Sequence, residues 1–429
     1  MLALLYGTRP EPWDPPDPSN RLLRGLAQVP MRLVDTDPPD TSRSGWTVIK
    51  PRMTGICGSD AKQVFMDFGE GLEDSPLNGL FSFPTVLGHE VVADVVEVAP
   101  DVTMVAPGER VVLNPWLSCV PRGIDPVCGS CEDGDYSLCW HFTEGDLAPG
   151  IHTGTCRDAP GGFADLLPAH ETMLHPVPHG VSDEDAVLAD PFSVSLHSVT
   201  RHPPPPGGRV LVHGAGALGT TAVAILRALH PDVEIGVVAG HPSQAELARG
   251  MGATVFAPEP VGQLIEEAAR WSGGRLRPVE GALPMAHPGG IDVVYDTIGT
   301  ASTTEVGIRL LRQRGTLVKS GVHAPERFEW SALYFKEIYW TGSNAFGVET
   351  VDGVRKHAIA HYLDLARDNR VDLTGLLTHT FALEDWRDAF VALATQDSSG
   401  AIKVAFDFRR DGFRRDGFRR DSGRSGERS

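Results

Sequence analysis

The sequence lacks long apolar runs and any excess of positive charge. No stretch approaches the roughly 20 consecutive apolar residues that a membrane-spanning helix needs, so we expect no transmembrane segment. The apolar start, Met1 to Leu5, is shorter than the core of a secretion signal and soon meets prolines, which predicts no leader. Lys and Arg number 38 against 56 Asp and Glu, a formal net charge of -18. This charge disfavours nucleic acid and anionic membranes and indicates a small, weakly charged substrate.

Cysteine is also scarce, and its distribution matters more than its count. Six cysteines occur in 429 residues, and Cys119, Cys128, Cys131 and Cys139 fall within one short segment. In a long chain without a predicted leader, such clustering indicates metal binding rather than disulfides. A reducing cytoplasm is the compartment that fits these thiols. The overall balance, 41% hydrophobic and 22% charged, is that of an ordinary globular protein.

The chain divides into a strand-rich part and an alternating part. In the first part, short apolar runs such as 91–98 are bounded by Pro and Gly, which predicts an irregular β domain. Four prolines begin at Pro203, and strand-like and helix-like runs alternate after them. Such alternation predicts βαβ units and a doubly wound parallel sheet. We therefore predict an α/β protein with a catalytic domain at 1–195 that is completed by 346–408, and a second domain at 196–345.

The end of the chain, residues 409–429, has a composition of its own. The unit Phe408-Arg409-Arg410-Asp411-Gly412 recurs almost unchanged up to Asp421. A low-complexity repeat of Arg, Asp and Gly cannot bury enough apolar surface to fold, so it predicts a disordered, solvated tail.

A glycine-rich motif follows the first strand of the alternating part. Gly214-Ala215-Gly216-Ala217-Leu218-Gly219 has the spacing G-x-G-x-x-G between a strand-like and a helix-like run. The three glycines serve, in turn, a tight turn, close approach of the backbone to a pyrophosphate, and helix–strand packing. The following helix start offers free N–H groups to the phosphates. This context predicts a Rossmann domain that binds a dinucleotide, with His241, Gly321 and Val322 as further candidate cofactor contacts.

The acidic residue that usually ends the second strand of such a domain is missing. That residue binds the ribose 2′-hydroxyl of NAD, and here Ala239 stands in the expected place. Its absence removes a penalty against the 2′-phosphate of NADP, which His241, Ser243 or Arg249 would contact. The choice between NAD and NADP stays open, with a preference for NADP.

Two shorter motifs in the first domain carry zinc-ligand chemistry. Gly55-Ile56-Cys57-Gly58-Ser59-Asp60 and Gly88-His89-Glu90 each place a thiol or an imidazole beside a carboxylate. In their order along the chain, these motifs, the cysteine cluster and the glycine-rich motif resemble the zinc-containing medium-chain alcohol and polyol dehydrogenases. The resemblance extends from Gly55 to Phe408 and implies a GroES-like irregular β-barrel catalytic domain beside the Rossmann domain.

By that resemblance, Cys57 and His89 are ligands of a catalytic zinc. Asp190 is the candidate third ligand, because many polyol dehydrogenases of the family carry Glu before proline there; alternatively, Asp190 only begins a helix. Glu90 is either a fourth ligand, exchanging with water or substrate, or a group that supports His89. Three protein ligands leave one position open for substrate. Asp60 is expected to accept a hydrogen bond from His89 and so orient the ring.

The cysteine cluster resembles the family's structural zinc lobe. Cys128, Cys131 and Cys139 have the spacing C-x2-C-x7-C of its last three ligands, and the first ligand would fall at Asp125. Either Cys119 or Asp125 supplies that ligand, and we favour Cys119. A closed metal site of this kind stabilises a loop that has no core of its own. Such a site takes no part in catalysis.

The implied reaction is hydride transfer between NAD or NADP and an alcohol or polyol with its carbonyl counterpart, with zinc polarising the substrate oxygen. Ser59 matches the hydroxyl that relays the proton outward, and Lys62 stands where relatives often carry a terminal His. The proton then leaves through Lys62, water or Glu90. One alternative is an NADPH-dependent carbonyl reductase of specialised metabolism, and another is a non-catalytic dinucleotide-binding sensor. A homodimer or homotetramer is implied by the family alone.

Overall fold

The computed structural model describes residues 1–67, 75–323 and 326–409, so the predicted tail beyond Arg409 lies outside the described residues. The first part of the chain forms short strands and mostly short helices, broken by Pro and Gly as predicted. In chain order these elements are β1 (Leu2–Tyr6), α1 (Arg21–Gln28), β2 (Met31–Asp35), β3 (Trp46–Gly55), α2 (Gly58–Val64), β4 (Thr85–Val86), β5 (Glu90–Val98), β6 (Arg110–Leu113), α3 (Gly129–Glu132), β7 (Leu167–His170), β8 (Leu174–Pro176), α4 (Asp183–Ala186) and α5 (Ala189–Arg201).

The middle of the chain alternates between strand and helix, with one antiparallel hairpin, β12–β13, inserted. Its elements are β9 (Arg209–His213), α6 (Ala217–Leu229), β10 (Glu234–Val238), α7 (Pro242–Gly250), β11 (Thr254–Phe256), α8 (Val261–Trp271), β12 (Leu276–Val279), β13 (Ala282–Ala286), β14 (Ile291–Asp296), α9 (Ala301–Leu310), β15 (Leu311–Lys319), α10 (Ser331–Phe335) and β16 (Tyr339–Gly342).

The last part of the chain returns to the first. Its elements are β17 (Val348–Val351), β18 (Val354–His357), α11 (Ala358–Arg367), β19 (Leu377–Phe381), α12 (Trp386–Ala394), α13 (Gln396–Ser399) and β20 (Lys403–Asp407).

A six-stranded parallel sheet forms the nucleotide-binding half of the fold. Its strand order is β11-β10-β9-β14-β15-β16, and every neighbouring pair runs parallel. The central strand β9 carries the fully buried run Val210, Leu211 and Val212, as expected where helices cover both faces of a sheet. This order reverses direction between β9 and β14, which places a crevice at the carboxyl ends of those strands. The predicted Rossmann fold is confirmed.

A seven-stranded barrel-like sheet forms the other half. Its order is β19-β20-β3-β5-β6-β8, with β7 also paired to β3. The longest pairing joins β3 to β5, from Thr47 opposite Val98 to Gly55 opposite Glu90. β5 is rich in Val, a good strand former; it is buried over residues 90–93 and becomes more exposed towards its end. The irregular β-barrel of the predicted fold class is confirmed.

Helix α5 connects the two halves of the molecule. It packs against α6 of the parallel-sheet half and against α11 of the returning segment. Most of its residues are buried, including Asp190 in its first turn. No helix in the described ranges combines the length and the apolar character needed to cross a membrane.

Candidate active site

The glycine-rich motif lies at the crevice of the parallel sheet. β9 ends at His213, and Gly214 follows with φ of 101°, a left-handed conformation that side chains rarely adopt. Gly216 stands at the start of α6, where no side chain caps the helix, so its first N–H groups are free for an anion. The backbone N–H of Gly214 donates to the carbonyl of Val238 (3.1 Å), which holds the turn against β10.

The end of β10 also faces this crevice. Ala239 follows the strand, and the next helix, α7, begins after His241 without a side-chain cap. His241 Nδ1 lies 2.7 Å from an oxygen of Asp397, which comes from α13 in the returning segment. The Oγ of Ser243 is buried and has no hydrogen-bond partner in the described part of the chain. A carboxylate is therefore near His241, although β10 itself does not supply it.

Gly321 and Val322 lie at the same edge of the sheet, just beyond β15. The N–H of Gly321 donates to the carbonyl of Asp296 at the end of β14 (3.0 Å). Val322 is 70% exposed, and its carbonyl accepts a hydrogen bond from the Nζ of Lys62 on α2. This hydrogen bond joins the barrel to the candidate cofactor loop across the cleft between them.

Three predicted ligands meet where β3 and β5 lie side by side. Cys57 precedes α2 directly after β3, and Glu90 begins β5 opposite Gly55. Candidate ligand atoms of Cys57, His89 and Glu90 all lie within 4.8 Å of one another. His89 and Glu90 are buried, whereas Cys57 is partly exposed. The two motifs, some 30 residues apart in sequence, therefore form one cluster at the mouth of the cleft.

Gly88 lets the backbone place His89 in this cluster. It has φ of 92°, and the ring of Phe163 occupies the space that a side chain would need. The Gly161–Ala164 segment pairs with this turn: the N–H of Gly162 donates to the carbonyl of Gly88, and that of Phe163 to Leu87 (2.8 and 3.0 Å). The Gly161–Ala164 segment therefore holds the His89 turn.

Asp60 lies beside His89, as expected, but at an ion-pair distance. His89 Nδ1 and Asp60 Oδ1 are 3.6 Å apart, longer than a hydrogen bond. The Asp60 carboxylate accepts instead from the backbone N–H of Cys57 (3.0 Å) and of Gly88 (3.3 Å). Burial disfavours a charged His89, but Asp60 and Cys57 outweigh it and raise the pKa of His89 well above its usual value. Asp60 thus ties both ligand-bearing turns together.

Lys403 is a member of the cluster that the sequence did not reveal. It is 2% exposed on β20, forms an ion pair with Glu90, and donates to the carbonyl of Ile56 (2.9 Å). Asp190 belongs to the same buried charge cluster but not to the three-residue ligand set. Burial and the neighbouring Glu90 raise the pKa of Asp190 to about 7, although His89 and Lys403 oppose this. A lysine within the buried strand β20 was the available sequence signal.

The donor set suits zinc. One thiolate, one imidazole and one carboxylate are the ligand types that Zn²⁺ binds in catalytic sites, where a fourth position stays open. Cys57 is partly exposed, so the open side faces the cleft rather than the core. Ser59, the predicted proton relay, lies exposed in the first turn of α2 next to this side.

The cysteine cluster forms a second candidate metal centre. Ligand atoms of Cys119, Cys128, Cys139 and His141 lie within 4.8 Å of one another, and Cys131 interacts with the first three. Cys119 Sγ is 3.6 Å from Cys139 Sγ and 3.3 Å from His141 Nδ1. Cys119 is thus gathered with the other cysteines.

Asp125, the alternative first ligand, is exposed and outside this set. Burial raises the pKa of the Cys128 thiol, but the backbone amides of Trp140 and Cys131 outweigh burial and lower it to about 6. Cys128 is thus the thiol that most readily forms the thiolate a metal requires, whereas burial raises the pKa of Cys119. His141, two residues after Cys139, is a fifth possible donor that the spacing analysis missed.

A buried arginine organises the loop around these cysteines. Arg122 is fully buried, and its guanidinium donates only to backbone carbonyls. These belong to Leu117, Glu144, Leu147, Ala148 and Gly150. Such a network ties distant turns of the loop to one buried side chain, which is consistent with a structural rather than a catalytic role for the lobe.

Comparison with known proteins assigns both halves of the chain. Residues 43–179 match the family model for the alcohol dehydrogenase GroES-like domain, and residues 217–360 match the model for zinc-binding dehydrogenases. The chain is 28% identical over 371 residues to a probable D-xylulose reductase A from Aspergillus terreus, covering 86% of this chain and 93% of that protein. It is 27% identical over 376 residues to a sorbitol dehydrogenase from Halalkalibacterium halodurans, covering 86% and 94%.

Solved structures share the fold. The crystal structure of 2R,3R-butanediol dehydrogenase from Bacillus subtilis superposes with a TM-score of 0.69 at 21% identity, covering 95% of this chain and 99% of that one. At that identity the likeness concerns the architecture, a GroES-like domain beside a Rossmann domain.

Proposed function

The chain belongs to the zinc-containing medium-chain alcohol and polyol dehydrogenase family, and on that premise we propose that it oxidises a polyol, or reduces the corresponding carbonyl, with a nicotinamide cofactor. The observation that carries the proposal is the ligand cluster of Cys57, His89 and Glu90 beside the dinucleotide crevice. The relatives named above act on sugar alcohols or their ketoses, which favours a substrate with several hydroxyls.

The proposed chemistry divides between the cofactors and the chain. A zinc ion held by Cys57, His89 and Glu90 would stabilise negative charge on a substrate oxygen. The nicotinamide would exchange a hydride with the substrate carbon. Asp60 holds the turns of Cys57 and His89 in register. Lys403 forms an ion pair with the buried Glu90 and so balances its charge within the protein. Asp190 is kept as an alternative or exchanging ligand.

Proton release is proposed to run through Ser59. Its hydroxyl lies exposed near the mouth of the cleft, where it can pass a proton from the substrate to water. Lys62, the alternative, is engaged with the carbonyl of Val322, and burial lowers its pKa. We therefore assign Lys62 to positioning the cofactor loop rather than to proton transfer.

We propose that the chain accepts both dinucleotides and prefers NADP. Ala239 supplies no carboxylate to repel a 2′-phosphate, and the uncapped start of α7 offers N–H groups to an anion. Ser243 Oγ, buried and without a partner among the described residues, adds a potential donor. Asp397 beside His241 reduces the preference, because it brings a carboxylate to the same region.

A homodimer through the edge of the parallel sheet is the proposed assembly. β16 is the edge strand, and five aromatic side chains on or near it are at least 45% exposed. They are Trp330, Tyr334, Phe335, Tyr339 and Trp340. A second copy would cover both the unpaired strand edge and these rings. A reducing cytoplasm is the proposed compartment, because all six cysteines are free thiols.

The decisive test compares zinc content and activity in wild type, Cys57→Ser and Cys156→Ser. Cys156 is a buried free thiol outside both clusters, so its variant controls for loss of a thiol as such. Zinc should fall from about two to about one per chain only in Cys57→Ser, with oxidation of a polyol panel lost and the fold kept. Running the panel with NAD and NADP also decides the cofactor. A wild type with one zinc that survives Cys57→Ser, and no oxidation, would refute the proposal.

A further inference from the structure

A second histidine lies directly against the candidate metal centre. The ring centroids of His89 and His152 are 4.5 Å apart, with the planes inclined by 48°. His152 belongs to the segment before the Gly161–Ala164 turn, and its backbone forms a β-bridge with Trp116. The Trp116 ring packs against His152 edge-on, with centroids 5.6 Å apart. His152 is therefore fixed in place by backbone pairing and by an aromatic wall.

The hydrogen bond of His152 shows which of its two ring nitrogens is free to bind a ligand. Nδ1 lies 2.7 Å from the carbonyl oxygen of Thr153. A carbonyl oxygen can only accept, so Nδ1 carries the proton and Nε2 is left with a lone pair in the neutral ring. The ring thus presents an acceptor, not a donor, at its Nε2 end.

Trp116 supplies the complementary group. It is 6% exposed, and its Nε1–H has no acceptor in the part of the chain that the structure describes. A buried indole N–H normally has a partner, because leaving it unpaired costs free energy. An unpartnered donor on one ring and a free acceptor on the adjoining ring together match a hydroxyl group, which donates one hydrogen bond and accepts others.

We propose that His152 and Trp116 form a subsite for a second substrate hydroxyl, so that the enzyme selects vicinal diols and polyols over simple alcohols. The reacting hydroxyl would sit at the open side of the Cys57–His89–Glu90 cluster, and its neighbour would bond to Nε2 of His152 and Nε1 of Trp116. This inference rests on the proposed function, in which the carbon that bears the first hydroxyl is oxidised. Selectivity follows because a monohydric alcohol leaves the buried indole N–H of Trp116 unpaired.

The test uses 2,3-butanediol and 2-butanol, which share a carbon skeleton and differ by one hydroxyl. In metal-replete enzyme, His152→Leu and Trp116→Phe should each lower the ratio of kcat/KM for the diol to that for the monool about tenfold or more. The value for 2-butanol should change about threefold or less. His152→Gln, which restores an acceptor, should recover part of the ratio. Zinc content, measured in each variant, checks that the metal centre is intact.

A direct binding measurement separates the subsite from the reaction. Calorimetric titration of the diol into wild type and His152→Leu should show weaker binding in the variant. If no alcohol is oxidised but diol binding still depends on His152, the proposed function fails and the subsite stands. If alcohols are oxidised but neither the kcat/KM ratio nor diol binding changes in the variants, the subsite is refuted and the proposed function stands.

Discussion

Lys403 brings a charged group into a strand whose other residues are all buried. Its ammonium is paired with Glu90 and donates to the carbonyl of Ile56. Burial disfavours the charged form of Lys403, but the neighbouring Glu90 outweighs burial and raises the pKa of Lys403. Two buried charges compensate each other at short range, and neither is tolerated alone.

Lys403→Met should therefore destabilise the protein by about 3 kcal/mol, because it leaves the Glu90 charge without a partner. Adding Glu90→Gln should recover part of this loss. Chemical denaturation of wild type, both single variants and the double variant measures the coupling free energy. Strictly additive losses would show that the pair is not coupled.

The cluster shows which residues of a site a sequence can reveal. Cys57, His89 and Glu90 lie in short motifs whose neighbours determine their geometry, and the structure brings them together. Lys403 and His152 meet the cluster only through the pairing of distant segments. A lysine within an apolar run is unusual, but no local pattern places either residue at the metal centre. Asp190 was found by its motif, yet its distance from the ligands depends on how α5 docks between the two halves.

At the scale of an element, the turn between β9 and α6 separates two roles of glycine. A side chain at Gly219 would meet the carbonyl oxygen of Gly214 at 1.9 Å, whereas one at Gly216 would meet nothing within 4 Å. Gly219 is thus needed for the close packing of helix α6 against the turn, whereas Gly216 leaves open space where a pyrophosphate would approach.

Gly219→Ala should lower the unfolding temperature, because helix and strand must separate to fit the methyl group. Gly216→Ala should leave that temperature unchanged but weaken dinucleotide binding roughly tenfold, equivalent to about 1.4 kcal/mol. Thermal unfolding without cofactor and fluorescence titration with NADPH measure the two effects. Equal behaviour of the two variants would contradict the division of roles.

The cysteine lobe offers another matched pair. Cys119 lies among the cysteines and Asp125 lies exposed outside them, so Cys119→Ser should lose one zinc per chain and Asp125→Asn should keep it. Native mass spectrometry of both variants measures this. Loss of zinc in Asp125→Asn alone would reverse the ligand assignment.

Elements were predictable where one physical signal dominated. β9, β10 and β14 are short apolar runs buried on both faces, and α6 follows the glycine motif, so these elements agree with the alternation predicted after Pro203. The Gly- and Pro-rich stretch at 272–290 predicts a surface insertion between a helix and a strand, and the structure shows that it contains the hairpin β12–β13. Weak patterning there left the pairing to tertiary contacts.

At the scale of the whole molecule, two stacked imidazole rings lie where the returning segment meets the barrel. His175 of β8 and His357 have ring centroids 4.3 Å apart, and neither Nε2 has a partner in the described part of the chain. Burial lowers the pKa of His175 from 6.5 to about 4, and burial together with the neighbouring His175 lowers that of His357 well below its usual value. Both rings are neutral in the folded state at neutral pH.

The protein should therefore lose stability as the pH falls from about 6.5 towards 4. In that window the unfolded chain binds protons on these rings and the folded chain does not, so acid favours unfolding. His175→Phe keeps a stacked ring that cannot titrate and should make the loss shallower by about 1–3 kcal/mol at pH 4. The same substitution at exposed His179 is the control. Denaturation midpoints across this pH range measure it, and identical slopes would contradict the assignment.

The pairing of β20 with β3 sets an order of events during synthesis. Ala405 lies opposite Gly55, 350 residues earlier in the chain. A ribosome therefore releases the entire parallel-sheet half before it makes Lys403, the residue that balances Glu90. Until the end of the chain has been made, the barrel therefore lacks strand β20 and Glu90 lacks the cation that balances its charge.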